Sequence, residues 1–302
     1  MIGAATESGR SGASASVRRV AVIGGGTMGN GIAQVFASNG FDVRLVDARP
    51  EFVERALATI AKNLDRVAKK QSWAAAEAPA ILGRISGGVD LSAARDCDIA
   101  IEAVSEDFTL KKKIFGALDG LAPPHAVLAT NTSSIPITEI AEVTKRPARV
   151  IGMHFMNPVP LMPLVEIVRG RATSDETCAL IEDLSRRLGK TPVEVQDSPG
   201  FVSNRILMPM INEAAFTLME GVATREAIDT VMVLGMKHPM GPLALADLIG
   251  IDTCLSIMQV LHAGFEDDKY RPCPLLRDMV SAGHLGRKSG RGFYEYPEMP
   301  RA

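Results

Sequence analysis

Cysteine is scarce in this chain, and its cysteines are far apart. Four occur in 302 residues, at Cys97, Cys178, Cys254 and Cys273, and no two of them form a C-x-x-C pair. That spacing argues against a zinc site or a disulfide framework, so we expect no metal. It fits a reducing compartment, and the sequence therefore predicts a cytoplasmic protein whose cysteines are buried as small apolar side chains.

The chain also lacks a strong charge of either sign and long hydrophobic runs. A formal net charge of −2 gives no reason to expect nucleic-acid binding. No uninterrupted apolar run reaches the roughly 18 residues of a membrane-spanning helix, so we expect no membrane association. Residues 1–16 are rich in Gly, Ala and Ser without an apolar core, which predicts a disordered tail and not a signal peptide.

What the chain does contain is a glycine-rich turn between a strand pattern and a helix pattern. Gly24, Gly26 and Gly29 fill the spacing G-x-G-x-x-G, directly after an apolar run at 20–23. The spacing alone is weak evidence among 27 glycines, but this context is typical of dinucleotide binding. The first glycine permits a tight bend, the second admits a pyrophosphate, and the third lets helix and strand pack closely. Because the helix N–H groups bind phosphates, the predicted cofactor site includes Thr27 and Met28.

An acidic residue stands where a ribose ligand is expected. Asp47 ends the second predicted strand, 23 residues after Gly24, close to the usual separation of about 20. Its carboxylate oxygens suit the 2′- and 3′-hydroxyls of NAD and would repel the 2′-phosphate of NADP. Arg49 is the one feature that favours NADP. On balance the Asp47 carboxylate makes NAD the favoured cofactor.

Strand and helix patterns alternate through the first two thirds of the chain. This alternation predicts an α/β fold with a Rossmann-type, doubly wound, mostly parallel sheet at 17–198, carrying a long helical arm. After it only a short run at 293–296 predicts a strand, so 199–302 are predicted to form an all-helical C-terminal domain. Helical stretches at 201–217 and 243–258 are apolar around most of their circumference, which favours a dimer interface.

A histidine and a glutamate are placed for proton transfer. His154 lies at the carboxyl end of a predicted buried strand, and Glu166 follows 12 residues later on the next strand. A carboxylate on one ring nitrogen fixes the tautomer and stabilises the imidazolium that forms when the other nitrogen takes a proton. This is the general base that alcohol oxidation requires. Ser133 and Asn204 are candidates for holding the substrate oxygens, although each alone is more often an ordinary cap or loop residue.

Several motifs follow one another in a recognisable order. They are GGGTMGNGIA at 24–33, NTSS at 131–134, HFMNP at 154–158 with LVE at 164–166, DSPGFVSNR at 197–205, PMGP at 239–242 and GRKSGRGFY at 286–294. Together they resemble the 3-hydroxyacyl-CoA dehydrogenase family, and most closely its bacterial 3-hydroxybutyryl-CoA members. The resemblance implies NAD-dependent oxidation of a (3S)-3-hydroxyacyl-CoA to a 3-oxoacyl-CoA, or the reverse, and a short acyl chain.

The resemblance also implies roles for individual residues. His154 is the implied general base with Glu166 as its partner, and Ser133 and Asn204 bind the reacting oxygens of the substrate. Asp47 holds the adenine ribose. Positions that contact the nicotinamide half of NAD are occupied by Glu106 and Lys111, and Ser133 is a further cofactor-binding position. Positions on the helical arm that contact coenzyme A are occupied by Asn63 and Lys70. The implied assembly is a homodimer through the helical domain, with the domains closing on the ligand.

Two other functions fit the same architecture. One is a related dehydrogenase of a hydroxy acid without CoA, such as L-gulonate, against which Lys70 and the 157–160 loop argue. The other is a non-catalytic, crystallin-like NAD-binding protein, against which the joint presence of His154, Glu166, Ser133 and Asn204 argues.

Overall fold

The computed structural model describes residues 16–69 and 72–296, without the side chains of 72–75. The predicted tail therefore lies outside the described residues except for Ser16, and Lys70 lies outside them as well. By its contacts the chain divides into two compact units, the first ending at Asp197 and the second beginning at Ser198.

One eight-stranded sheet organises the first unit. Its strands are β1 (Arg19–Ile23), β2 (Asp42–Val46), β3 (Ile85–Gly88), β4 (Ile99–Glu102), β5 (Val127–Thr130), β6 (Val150–Phe155), β7 (Leu164–Arg169) and β8 (Thr191–Gln196). Their spatial order is β3-β2-β1-β4-β5-β6-β7-β8, and every neighbouring pair is parallel except β6 with β7. This confirms the predicted Rossmann-type, mostly parallel sheet.

Helices connect these strands and cover the sheet. They are α1 (Thr27–Ser38), α2 (Pro50–Ala68), α3 (Ser72–Gly83), α4 (Phe108–Leu121), α5 (Ile137–Ala141) and α6 (Asp175–Arg187). Every residue of β4, β5 and β6 is buried, as expected where helices pack on both faces of a parallel sheet. From β1 the chain adds strands first on one side (β2, β3) and then on the other (β4, β5), so the topological switch point lies between β1 and β4. Ligands of such folds bind in the crevice at that point.

Strand β3 was not predicted from the sequence, because half of it is glycine. Its sequence is Ile-Ser-Gly-Gly, which carries little apolar signal. A Cβ on Gly87 would lie 2.3 Å from Cγ1 of Val53, so a larger residue there would collide with α2. The close packing of helix on strand explains why this strand has the composition of a turn.

The second unit is helical. It contains α7 (Ser203–Met219), α8 (Arg225–Thr230), α9 (Pro242–Ile249), α10 (Ile251–Phe265) and α11 (Pro274–Ser281). The strand predicted at 293–296 is wrong: within the described residues this stretch forms only an isolated bridge between Arg291 and Glu295. Buried Asp247 accepts hydrogen bonds from the backbone N–H groups of Phe293 and Tyr294, so those groups are not available to a strand.

Over the described ranges, no single helix has both the length and the apolar character needed to cross a membrane. Only α9 and α10 taken together, with a bend of 98° between them, meet that test by length and composition.

Candidate active site

The glycine turn after β1 has the geometry that a dinucleotide-binding turn requires. Gly24 has φ of +105°, and a Cβ there would lie 2.6 Å from the carbonyl oxygen of Ala103. A Cβ on Gly29 would lie 1.7 Å from the carbonyl oxygen of Gly24. Gly26 is different, because a Cβ there would meet nothing within 4 Å. Gly24 and Gly29 are thus required by packing, whereas Gly26 leaves open space for a phosphate at the start of α1.

Asp47 directly follows β2 and contacts the same turn. Its Oδ2 accepts from the N–H of Gly25 at 2.6 Å, and its Oδ1 accepts from the N–H of Ala48 at 2.6 Å. Each oxygen keeps a lone pair for a sugar hydroxyl. Asp47 therefore holds the glycine turn in place in addition to lining a cavity beside it.

A cavity of about 550 Å³ lies between this carboxylate and the switch point of the sheet. Gly24, Gly26 and Asp47 line its polar end. Apolar residues that the sequence analysis did not identify form much of the rest, and they are Phe52, Val89, Leu91, Leu110 and Ile114. The cavity thus offers an apolar wall for a planar base beside a carboxylate for its ribose, and NAD fits the residues present.

The predicted contacts Thr27 and Met28 begin α1. Thr27 is exposed and lines a second cavity, whereas the Met28 side chain packs against the apolar core. Met28 can therefore contact a phosphate at the start of α1 through its backbone N–H but not through its side chain.

The second cavity, of about 370 Å³, also borders the glycine turn. Its wall comprises residues of the turn, of α1 and α2, and of the loop at 157–160. Asn63 lines it, and its Nδ2 lies 3.3 Å from Oε1 of Gln34. Buried Lys190 donates to the carbonyl oxygens of Val159 and Met162, at 2.6 and 2.8 Å, and so anchors the loop. Burial lowers the pKa of this lysine.

Glu106 and Lys111 meet in one polar cluster. The Lys111 ammonium lies 3.3 Å from Oε2 of Glu106 and 2.7 Å from Oε1 of Glu102, which the sequence analysis did not identify. Oε1 of Glu106 accepts from both the backbone N–H (2.9 Å) and the hydroxyl (3.3 Å) of Ser133. Burial alone would raise the pKa of Glu106, but Lys111 and these hydrogen bonds, with one from Thr132, hold it below its ordinary value.

His154 and Glu166 face each other across β6 and β7. They are direct partners in the antiparallel register, and Nδ1 of His154 lies 2.8 Å from Oε2 of Glu166. Both side chains are buried. Asn131, at the end of β5, accepts from the N–H of Phe155 through its Oδ1 at 2.9 Å, which ties the next strand to the same edge. The imidazole, the Ser133 loop and the glycine turn thus all lie at the carboxyl edge of the parallel strands.

Asn204 belongs to the second unit. It is the second residue of α7 and is buried. The turn before it includes Gly200, with φ of +72°, where a Cβ would lie 2.6 Å from Cδ2 of Leu261. Within the described ranges, no group of three His, Cys, Asp or Glu side chains is arranged to hold a metal ion.

Comparison with known proteins gives concordant matches over both units. Residues 19–198 match the model of the 3-hydroxyacyl-CoA dehydrogenase NAD binding domain, and residues 200–296 match that of the 3-hydroxyacyl-CoA dehydrogenase C-terminal domain.

Whole-chain relatives agree with these domain matches. The chain is 58% identical over 282 residues to a probable 3-hydroxybutyryl-CoA dehydrogenase of Bacillus subtilis, covering 93% of this chain and 98% of that one. It is 52% identical over 282 residues to a 3-hydroxybutyryl-CoA dehydrogenase of Bradyrhizobium diazoefficiens, covering 93% and 96%. The crystal structure of an (S)-3-hydroxybutyryl-CoA dehydrogenase from Ralstonia eutropha aligns with a TM-score of 0.91 at 52% identity, covering 94% of this chain and 100% of that one.

Proposed function

The chain belongs to the 3-hydroxyacyl-CoA dehydrogenase family, and from this premise we propose that it interconverts (3S)-3-hydroxybutyryl-CoA and acetoacetyl-CoA with NAD. The observation that carries the proposal is the buried His154–Glu166 pair at the carboxyl edge of a sheet whose glycine turn and Asp47 suit NAD. Relatives named for the four-carbon substrate, at 58% and 52% identity, support a short acyl chain.

In the proposed oxidation, Nε2 of His154 takes the hydroxyl proton of the substrate. Glu166 stabilises the imidazolium through Nδ1. NAD, when bound, supplies the acceptor for the hydride that leaves the substrate carbon. A base positioned in this way contributes a rate factor of roughly 10²–10⁴. In the reverse reduction, the same imidazolium returns the proton to the forming hydroxyl.

Other residues are assigned to binding by their place in the family motifs. We assign the reacting oxygen of the substrate to Ser133 and Asn204, and the coenzyme A moiety to Asn63 in the second cavity. Lys70 is assigned to coenzyme A on its sequence position alone. The resemblance implies nicotinamide contacts for both Glu106 and Lys111. Because the Lys111 side chain is only 1% exposed and pairs with Glu102 and Glu106, we keep this contact for Glu106 alone.

The decisive experiment compares cofactor and acyl substrate in one assay. Oxidation of NADH and NADPH is followed with acetoacetyl-CoA, with a longer 3-oxoacyl-CoA and with free acetoacetate. We expect the highest kcat/KM with NADH and acetoacetyl-CoA. Preference for free acetoacetate, or for gulonate with NAD in the oxidative direction, would instead support a dehydrogenase that acts without CoA.

We further propose that the second unit mediates a homodimer. Large apolar side chains of this unit are exposed in the single chain, among them Val222 at 71%, Leu234 at 76% and Ile206 at 68%. Exposed apolar surface of this kind commonly marks an interface. Sedimentation equilibrium is expected to give twice the mass of the chain, and a monomer at micromolar concentration would contradict the proposal.

A further inference from the structure

A buried ionic cluster links the ends of β4 and β5 to the start of α4. Its centre is the Lys111 ammonium, which lies 2.7 Å from Oε1 of Glu102 and 3.3 Å from Oε2 of Glu106. The Glu102 side chain is fully buried, that of Lys111 is 1% exposed, and that of Glu106 is 37% exposed at the rim. Two carboxylates and one ammonium give the cluster a net charge of −1 at their ordinary charges.

Glu102 is held in a single orientation by the residues around it. Its Oε1 accepts from the N–H of Val104 at 2.7 Å in addition to the Lys111 ammonium. Its Oε2 accepts from the hydroxyl of Thr130 at 2.7 Å. A buried charge with its hydrogen bonds satisfied in this way is rigid, and its removal is not compensated by solvent.

From this anchor the hydrogen bonds continue to the Ser133 loop. Lys111 holds one oxygen of Glu106, and the other oxygen accepts from the hydroxyl and amide groups of the loop. These donors are Thr132 Oγ1, Ser133 N, Ser133 Oγ, Ser134 N and Ser134 Oγ. Glu102 therefore fixes, through Lys111 and Glu106, a loop whose Ser133 the proposed function assigns to the reacting oxygen of the substrate.

The cluster lies on the nicotinamide side of the crevice. In a doubly wound sheet the dinucleotide spans the switch point. Here Asp47, directly after β2, marks the end that binds the adenine ribose. The other half of the cofactor must then lie beyond β1, toward β4, which ends in Glu102. A charge in this buried position is screened far less than one in water.

We propose that Glu102 is a positioning residue that sets, with Lys111 and Glu106, a net negative charge beside the nicotinamide and thereby favours NAD⁺ over NADH. The nicotinamide ring is positively charged only in NAD⁺, so a fixed negative charge stabilises the oxidised form selectively. This inference deepens the proposed function by identifying what biases its redox direction, and it rests on that function for the placement of the nicotinamide.

The test is cofactor binding without any acyl-CoA. Dissociation constants for NAD⁺ and NADH are measured by calorimetry on the wild type and on Glu102→Gln, which keeps the shape and changes the cluster charge to zero. We expect the ratio Kd(NAD⁺)/Kd(NADH) to rise about tenfold. If Glu102 had a purely structural role, the variant would weaken the binding of NAD⁺ and of NADH by the same factor. An unchanged ratio of the two dissociation constants therefore overturns the proposal.

Two variants separate charge from geometry. Glu102→Gln combined with Lys111→Met restores the net charge of −1, and we expect the ratio to return to the wild-type value. Thr130→Val removes a hydrogen bond to Glu102 without changing any charge, and it should leave the ratio as in the wild type. The proposal is contradicted if the ratio rises in Thr130→Val, or if it stays raised in the double variant.

Glu106→Gln provides an independent measurement if Glu102→Gln does not fold. It removes the same charge from the exposed side of the cluster and must raise the ratio in the same direction. Because no acyl-CoA is present, failure to turn over 3-hydroxybutyryl-CoA would disprove the proposed substrate and leave this test intact. Normal turnover with an unchanged ratio would overturn only the inference about Glu102.

Discussion

Nδ1 of His154 lies 2.8 Å from Oε2 of Glu166, and the two residues are direct partners in the β6–β7 ladder. Their separation is therefore set by backbone pairing and not by a flexible loop. The carboxylate contacts Nδ1, and the proposed mechanism assigns exchange of a proton with the substrate to Nε2. Preorganisation of this kind removes the cost of orienting the base during the reaction.

Replacement of His154 should separate chemistry from cofactor binding. We expect His154→Gln to lower kcat by a factor of roughly 10²–10⁴, because the proton acceptor is lost. NADH binding, followed by fluorescence, should be retained. Glu166→Gln is the matched variant: it keeps the base and loses only the partner charge, so its kcat should lie between those of the wild type and His154→Gln. Wild-type turnover in His154→Gln would remove His154 from the mechanism.

Two glycines of the same turn should respond differently to one added methyl group: one variant should lose stability, and the other should lose affinity for NADH. Gly29→Ala places a Cβ 1.7 Å from the Gly24 carbonyl oxygen, so we expect the free energy of unfolding to fall by at least about 2 kcal/mol. Gly26→Ala meets nothing within 4 Å, so its stability should change by less than about 1 kcal/mol while NADH affinity falls. Urea unfolding and NADH titration check both. Unimpaired NADH binding by Gly26→Ala would show that no phosphate lies there.

Asp47 should set the preference between NAD and NADP. The guanidinium groups of Arg49 and Arg55 lie 5.8 and 5.0 Å from the centroid of the Phe52 ring, next to the ribose end of the cavity. Removal of the carboxylate in Asp47→Ser should therefore raise the NADPH/NADH ratio of kcat/KM at least about tenfold.

The same variant should lose overall activity, because Gly25 loses its hydrogen-bond acceptor. The control is Asp47→Ser combined with Arg49→Ala, in which the gain with NADPH should largely disappear. Retention of the full gain would mean that Arg49 does not contact the 2′-phosphate.

Asn63 provides a test of the second cavity. If this cavity binds the nucleotide part of coenzyme A, Asn63→Ala should raise KM for acetoacetyl-CoA several-fold and leave kcat nearly unchanged, because the lost contact is remote from the chemistry. The truncated substrate acetoacetyl-pantetheine is the control, and its KM should be the same for wild type and variant. Equal effects on both substrates would place the nucleotide elsewhere.

Glu106 should contribute stability that is lost in acid. Its folded pKa lies below the ordinary value of 4.5, so the unfolded chain binds more protons as the pH falls through this range. The contribution is complete above the unfolded pKa and disappears as the pH falls through the folded one. Denaturant unfolding should show wild type more stable than Glu106→Gln at pH 7, with the difference shrinking below about pH 4.5. A difference that is constant with pH would contradict this.

The sequence predicted those parts of the molecule that depend on local pattern. The glycine spacing and Asp47 identified the cofactor turn, and the 12-residue separation of His154 from Glu166 suggested the strand pair that the structure contains. The strand-helix alternation was sufficient for the sheet, but β3 was missed because packing against Val53 requires glycine there.

Glu102 was also missed, and for a different reason. It ends an otherwise apolar strand, and its partners Thr130 and Lys111 are 28 and 9 residues away in the chain. A contact of that kind depends on which strands become neighbours, and no spacing rule in a single sequence encodes it. The wrong strand at 293–296 has a similar origin, because Asp247, 46 residues before Phe293, takes its backbone N–H group.

Gly26 and Arg55 line both the 550 Å³ cavity and the 370 Å³ cavity, so these two cavities adjoin at the glycine turn. If NAD and coenzyme A occupy them, the phosphate groups of both ligands lie near this one turn and repel each other. Dissolved salt screens such repulsion over a Debye length of about 8–10 Å. Low ionic strength should therefore make the two ligands antagonistic, and added salt should let the second bind more easily after the first.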